Sequence, residues 1–176
     1  MSIFSRRILL SFLVLLLQPL AYAHADTLTV GDGGDDGKPN QLRALIDQAK
    51  DGDVIMIPAG MTVKIAKDGV EDQNASGDFD LNKNLTIQGA GAQVSIIEGD
   101  DQSRIFDIAE GKSVAISQVS LRGGNSTEGG AIRNKGGLIL DKVHVDGNTA
   151  VQGNGERRAS LFRQGDDRHF RFFFHE

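Results

Sequence analysis

The stretch VAISQVSLRG at residues 114–123 is answered 24 positions later by LILDKVHVDG at residues 138–147. Val114, Ile116, Val119 and Leu121 find counterparts in Leu138, Leu140, Val143 and Val145, and the closing glycine returns as well, Gly123 as Gly147. Within each copy apolar residues alternate with polar ones, the period of a strand with one buried face. Self-similarity at this spacing predicts a solenoid whose units stack on one another. Leu85 and Ile87 precede Val114 and Ile116 by 29 positions, so their coil is expected to carry an insertion of about five residues.

Working outward toward the N-terminus, short alternating or apolar runs predict strands at residues 27–30, 54–57, 61–65, 85–87, 94–97 and 105–108. Residues 66–80 are polar and predict a loop or excursion. One helix signal stands out. Leu42, Leu45, Ile46 and Ala49 form a single apolar stripe; Asn40 is placed to cap its start, and Asp51-Gly52 to stop it, with Gly52 suited to a left-handed cap. A stripe of that kind must lie on something apolar, since each large side chain buried is worth roughly 1.5–3 kcal/mol. Residues 41–50 are therefore expected to cover the first coil, whose open strand edge would otherwise recruit other chains. Asn125 and Asn148, each following a glycine, are candidates for a side-chain ladder between stacked turns.

Residues 1–25 predict a secretory signal peptide. Arg6 and Arg7 precede a short apolar run, Pro19 breaks it, and Ala21-Tyr22-Ala23 offers a small-x-small cleavage site. The run is short for a membrane span of ~20 residues, and no later segment is apolar enough to cross. The organisation expected is a leader at 1–25, one stacked domain at 26–150, and a tail at 151–176 that departs from the pattern. The chain has 22 glycines, three prolines and no cysteine. Frequent Gly, Asn and Asp suit a chain that turns often and tightly, and the stacked core must hold without disulfides. Residues 26–150 carry 20 acidic and 12 basic side chains, a net of −8, which argues against binding nucleic acid through its phosphates.

The tail holds five of the nine phenylalanines and five arginines but no lysine, whereas residues 1–150 hold eight lysines and six arginines. A change that abrupt points to a shifted reading frame or a truncated gene, with the chain as the front part of a longer solenoid. The alternative is a genuine C-terminal segment that covers the last coil.

Two further stretches carry a resemblance. QLRALIDQA at residues 41–49, followed by GDVI at 52–55, resembles the N-terminal cap of right-handed parallel β-helix proteins of the pectate-lyase-like superfamily. It is close to the S-L-R-x-A-I-x-x-A…G-D-x-I opening of bacterial surface and secreted repeat proteins, including those with CSLREA-type or polymorphic-outer-membrane-protein-type repeats. LTIQGAG at 85–91 and GGAIRN at 129–134 are similar to the same group. The resemblance implies an all-β, right-handed parallel β-helix with an N-terminal amphipathic capping helix, exported and either secreted, periplasmic or on the cell surface, with an adhesin or scaffold role. The partner it implies is an extracellular polysaccharide or a host or cell-surface ligand.

The same superfamily contains polysaccharide lyases and hydrolases, so the ionisable residues need weighing. Asp32, Asp35 and Asp36 offer the hard oxygens that calcium takes, but their spacing departs from the EF-hand loop, and solvated turn aspartates are the expectation. Glu98, Asp100 and Asp101 form a second acidic turn; glycoside cleavage requires an acid and a partner carboxylate, and the Gly-His-Gly and Arg-Ile-Lys motifs that accompany such a turn in hydrolases are missing. Arg104, Arg122 and Arg133 are expected as solvated turn arginines, with Arg122 and Arg133 able to face one groove. His144 alternates with Val143 and Val145 and so points outward, with no carboxylate at fixed spacing. No catalytic residue, cofactor site or metal site is assigned. The reading is a non-enzymatic module, with the N-terminal part of a lyase or hydrolase, its catalytic coils missing, as the alternative.

Overall fold

The computed structural model describes residues 24–67, 69, 73–152 and 155–157. The signal peptide, apart from its last two residues, and the tail beyond Arg157 lie outside the described residues. Strands stack in parallel into a β-solenoid of about four turns with one short helix. Sheet A holds β1 (Thr27–Thr29), β2 (Val54–Ile57), β5 (Leu85–Gly89), β8 (Ser113–Ser117) and β12 (Gly137–Asp141), in that spatial order. Sheet B holds β3 (Met61–Lys64), β6 (Ser95–Glu98), β9 (Ser120–Arg122) and β13 (His144–Asp146). Sheet C holds β4 (Phe79–Leu81), β7 (Phe106–Ile108) and β11 (Ile132–Asn134). A small sheet D joins β10 (Asn125–Ser126) and β14 (Thr149–Gln152) in parallel, and β15 (Gly155–Arg157) then turns back antiparallel on β14.

The 24-residue echo is the vertical register of the last two coils. Val114 lies against Leu138, Ile116 against Leu140 and Leu121 against Val145. Val119 and Val143 stand between these pairings, and the His144 amide donates to the Val119 carbonyl at 3.0 Å. One coil earlier, Leu85 lies against Val114 and Ile87 against Ile116, the 29-residue offset, whereas Ile97 lies against Leu121 at 24. The five extra residues therefore sit at the corner between β5 and β6. Gly89 opens that corner, and a Cβ there would lie 2.1 Å from the Gln118 carbonyl oxygen. The corners below repeat in backbone as well as sequence: Gln118 and Lys142 both adopt left-handed conformations, at φ 53° and 54°.

Inward side chains form continuous rows. Leu28, Ile55, Ile87, Ile116 and Leu140 superpose in sheet A, and Val63, Ile97, Leu121 and Val145 in sheet B. In sheet C, Phe79 and Phe106 stack with ring centroids 5.8 Å apart. Helix α1 (Leu42–Gln48) buries Leu42, Leu45 and Ile46, with Ala49 just beyond it, in the same core.

Three local expectations are corrected. Gln41, not Asn40, is the helix N-cap, and its side chain makes no capping bond. Instead Gln41 Oε1 turns back to accept the amides of Gly37 and Lys38, each at 2.9 Å. The excursion expected at 66–80 ends in a strand, β4. Asn125 and Asn148 form no ladder, because Asn125 pairs in register with Thr149. Asn148 is a buried corner instead, accepting the Gly124 amide and donating to the Leu121 carbonyl.

Candidate functional site

Strand alternation decides what sheet C presents outward. Phe79, Leu81, Phe106 and Ile108 point into the core, so Asp80 and Asp107 face out, and the register stacks Asp80, Asp107 and Arg133 on successive coils. The segment leading into β4 closes over them. Asn74 and Asp80 exchange backbone-to-side-chain bonds in both directions, Asn74 N to Asp80 Oδ2 at 2.8 Å and Asp80 N to Asn74 Oδ1 at 3.2 Å. Asp78, Asp80 and Asp107 are each buried, and each offers a carboxylate oxygen within 4.8 Å of the others.

Three like charges cannot be held so closely out of water without compensation, and arginines supply it. Arg104 Nη1 donates to Asp78 Oδ2 at 3.0 Å and lies 3.8 Å from Asp107 Oδ2. Its Nη2 donates to Ser126 Oγ at 2.9 Å. Arg133 donates to Asp107 Oδ2, and Lys135 stands 4.0 Å from the same oxygen. Burial pushes the Asp78 carboxyl above the usual carboxylate range; Arg104 opposes that shift and Asp107 adds to it. Asp107 Oδ1 is buried with no hydrogen-bond partner. The donor set is one that a hard cation accepts, but the guanidinium groups already provide the positive charge.

A second buried arginine ties the helix to this cluster. Arg43 grips Asp35 with two parallel bonds of 2.8 Å and donates to the carbonyls of Gly77 at 2.7 Å and Asp78 at 2.9 Å. Its guanidinium stacks 4.7 Å above the Phe79 ring centre.

The residues singled out from sequence fall in different places. Asp35 is not a solvated turn aspartate but the buried partner of Arg43. Asp32 and Asp36 stay at the surface, where both bond Gln41 and pair with Lys38. The Lys38 ammonium beside Asp32 holds its carboxyl down to about 2. Asp100 Oδ1 accepts the amides of Gln102 and Ser103 at 2.9 and 3.0 Å, a turn-forming role. Arg122 and Arg133 do not share a groove: Arg122 sits on sheet B and pairs with Glu98 at 3.1 Å, whereas Arg133 sits on sheet C. Arg104 is no solvated turn residue, its side chain being only 12% exposed. His144 is exposed, as its alternation predicts. Arg43 and Asp78 were not singled out, and the doubled Phe-Asp-aliphatic pattern at 79–81 and 106–108 is the signal that finds sheet C.

A separate shallow groove of about 410 Å³ runs over one end of sheet A, lined by Asn84, Thr86, Ser113, Ala115, Gly137 and Ile139 among others. Among the described residues no helix is long and apolar enough to cross a membrane. No family model, curated protein or solved structure compared with the chain gives a match.

Proposed function

We propose that this chain is an exported, non-enzymatic β-helix module of a bacterial surface or secreted protein, of the adhesin or scaffold kind. One observation carries the reading: Glu98 on sheet B, and Asp78 and Asp107 at sheet C, are each paired with basic side chains. Glu98 pairs with Lys64 and Arg122 on neighbouring coils of sheet B, and the sheet C carboxylates are buried against Arg104 and Arg133. An acid or base that works on a substrate must be reachable by it, and the Asp78 and Asp107 side chains are each only 6% exposed. The leader-like N-terminus supports the reading of export, and the resemblance of residues 41–55 to the caps of pectate-lyase-like surface proteins supports that of a surface or secreted module. Its partner would be an extracellular polysaccharide or a cell-surface ligand, taken on an outer face of the coils.

A second reading, the N-terminal part of a polysaccharide lyase or hydrolase, is favoured by the Asp78–Asp107 pair beside Arg104. One experiment separates the two. The chain is incubated with acidic and neutral polysaccharides, and both binding and chain cleavage are measured. Retention on a polysaccharide with no new reducing ends or unsaturated sugars is the expected result. Cleavage that disappears in Asp107→Asn rejects the non-enzymatic reading.

A further inference from the structure

Sheet A presents an outer face unlike those of sheets B and C. Its inward row leaves the alternate residues facing out, and the register stacks Thr27, Val54, Thr86, Ala115 and Ile139 on successive coils. The parallel row through Met56, Gln88 and Ser117 meets its first charge at Asp141, on the last described coil. Sheet B by contrast carries Lys64, Glu98 and Arg122 in one outer row, and sheet C carries Asp80, Asp107 and Arg133. The side-chain hydroxyls of Thr86 and Ser117 and the side-chain amide of Gln88 make no hydrogen bond to another described residue. Apolar groups share the face with them. Of the three large apolar side chains exposed among the described residues, Met56 and Ile139 stand here, Ile139 at 69%. The shallow groove of about 410 Å³ lies on the same face, with Thr86, Ser113 and Ile139 in its wall, and its size is within the ~300–1,000 Å³ of small-ligand sites.

We propose that this face binds an uncharged polysaccharide laid along the solenoid axis, its sugar C–H groups on the row of Val54, Ala115 and Ile139 and its hydroxyls on Thr86, Gln88 and Ser117. The proposal rests on the reading of the chain as a non-enzymatic binding module, and it names the face and the ligand class. Charge decides the class. Residues 26–150 carry a net of −8, and the outer rows of sheet A offer no cation to a carboxylate, so an acidic polysaccharide is repelled with nothing to offset it. A neutral chain covers the face without burying a charge. Its surface is mixed in the same way, apolar C–H groups beside hydroxyls, and the Thr and Ser hydroxyls can both donate to it and accept from it. Successive coils lie ~4.8 Å apart, so a polymer of repeated rings meets a repeated surface. Size favours a narrow ligand over a second copy of this chain. Five strands ~4.8 Å apart and about five residues of ~3.3 Å give a face of roughly 24 by 17 Å. That is about half of the ~800 Å² per partner of a standard protein interface.

The test is affinity electrophoresis of the full chain in native gels that contain neutral polysaccharides (a β-glucan, a mannan and a galactan) or acidic ones (polygalacturonate and alginate). The parent chain is expected to be retarded by a neutral polysaccharide and by neither acidic one, equally at low and high salt, because no charge pairing is involved. Ile139→Asp and Ser117→Arg each place a charge on the face and should weaken the retardation about tenfold. His144→Asp, exposed on sheet B, should match the parent. Melting followed by circular dichroism checks that each variant is folded, and the two sheet A variants are independent of one another. Retardation by acidic polysaccharides alone, retardation that the folded sheet A variants keep, or an equal loss in His144→Asp overturns the proposal and leaves the binding-module reading standing. No retardation by any of the polysaccharides overturns the proposal together with the polysaccharide partner. Retardation that depends on sheet A but comes with new reducing ends upholds the face and overturns the non-enzymatic reading alone.

Discussion

Replacing Arg43 with alanine tests the reading of the cap most severely. Among the described residues the guanidinium is the only charged partner of Asp35, whose side chain is 1% exposed, and it also satisfies the carbonyls of Gly77 and Asp78. Arg43→Ala strands a buried carboxylate, and breaking a buried pair from one side costs about 3–5 kcal/mol. Loss of the stack on Phe79 adds to this, on the order of 0.5–2 kcal/mol. With a urea dependence of about 2 kcal/mol per M, a loss of about 4 kcal/mol lowers the unfolding midpoint by roughly 2 M. The assay is urea denaturation followed by circular dichroism, with Asp35→Leu/Arg43→Met as the companion. Since apolar replacement of a whole buried pair is often neutral, the double variant should recover most of the loss. If Arg43→Ala shifts the midpoint by less than ~0.5 M, or if the double variant falls below the single one, the cap is not held by this pair and the argument fails.

The remaining predictions concern packing and pH. Ile116→Ala, in the middle of the sheet A row, should cost about 2–5 kcal/mol, whereas Ile139→Ala, at 69% exposure, should stay within ~0.5 kcal/mol; calorimetry of the two variants checks the alternation of β12 against that of β8. Asp78 gives a pH signature. Its folded carboxyl is raised above the ordinary value of 3.8 by burial, so the folded chain holds that proton more tightly than the unfolded one. Its contribution is present below the unfolded value and is lost as pH rises through the folded value. Asp78→Asn removes that loss, so its stability relative to the parent should be better at pH 7 than at pH 4 in urea titrations. The opposite trend would mean that Arg104, not desolvation, dominates at Asp78.

What could be read from the sequence follows from how each sheet repeats. In sheets A and B the vertical spacing of the last coils is 24, the same in both, and the five-residue insertion falls at one corner. Alternation plus a period of 24 superposes Ile116 and Leu140, and a five-residue insertion brings Ile87 into the same row. Sheet C keeps different spacings: Phe79 lies against Phe106 at 27 and Phe106 against Ile132 at 26. A search at the period of its neighbours slides past Asp107 over Arg133, and the cluster stays hidden. Arg43 is hidden for another reason. It neighbours the apolar stripe of α1, and its partners come from two loops, at Asp35 and at residues 74–78. Loop approach of that kind leaves no periodic trace. The acidic turns were visible as composition alone, which could not separate Asp35, buried on an arginine, from Asp36, exposed beside a lysine.

These hidden pairs form a chain of their own. Asp35 holds Arg43, Arg43 holds the Gly77 and Asp78 carbonyls, the Asp78 carboxylate holds Arg104, and Asp107 stands between Arg104 and Arg133. Charges of alternating sign thus run from the N-terminal cap to the last described strand of sheet C. A solenoid core of aliphatic rows is permissive about register, since a row of Ile and Leu packs nearly as well one coil out of step. An ion-paired row is not permissive, because a slip would set Asp80 or Asp107 against a residue that cannot compensate it. Sheet C is also where the coils depart from their common period, so it is the sheet in which slippage has the least opposition from spacing alone. The charged row is placed where the apolar rows specify least, and its contribution is the choice of one stacking among near equals rather than the strength of the stack.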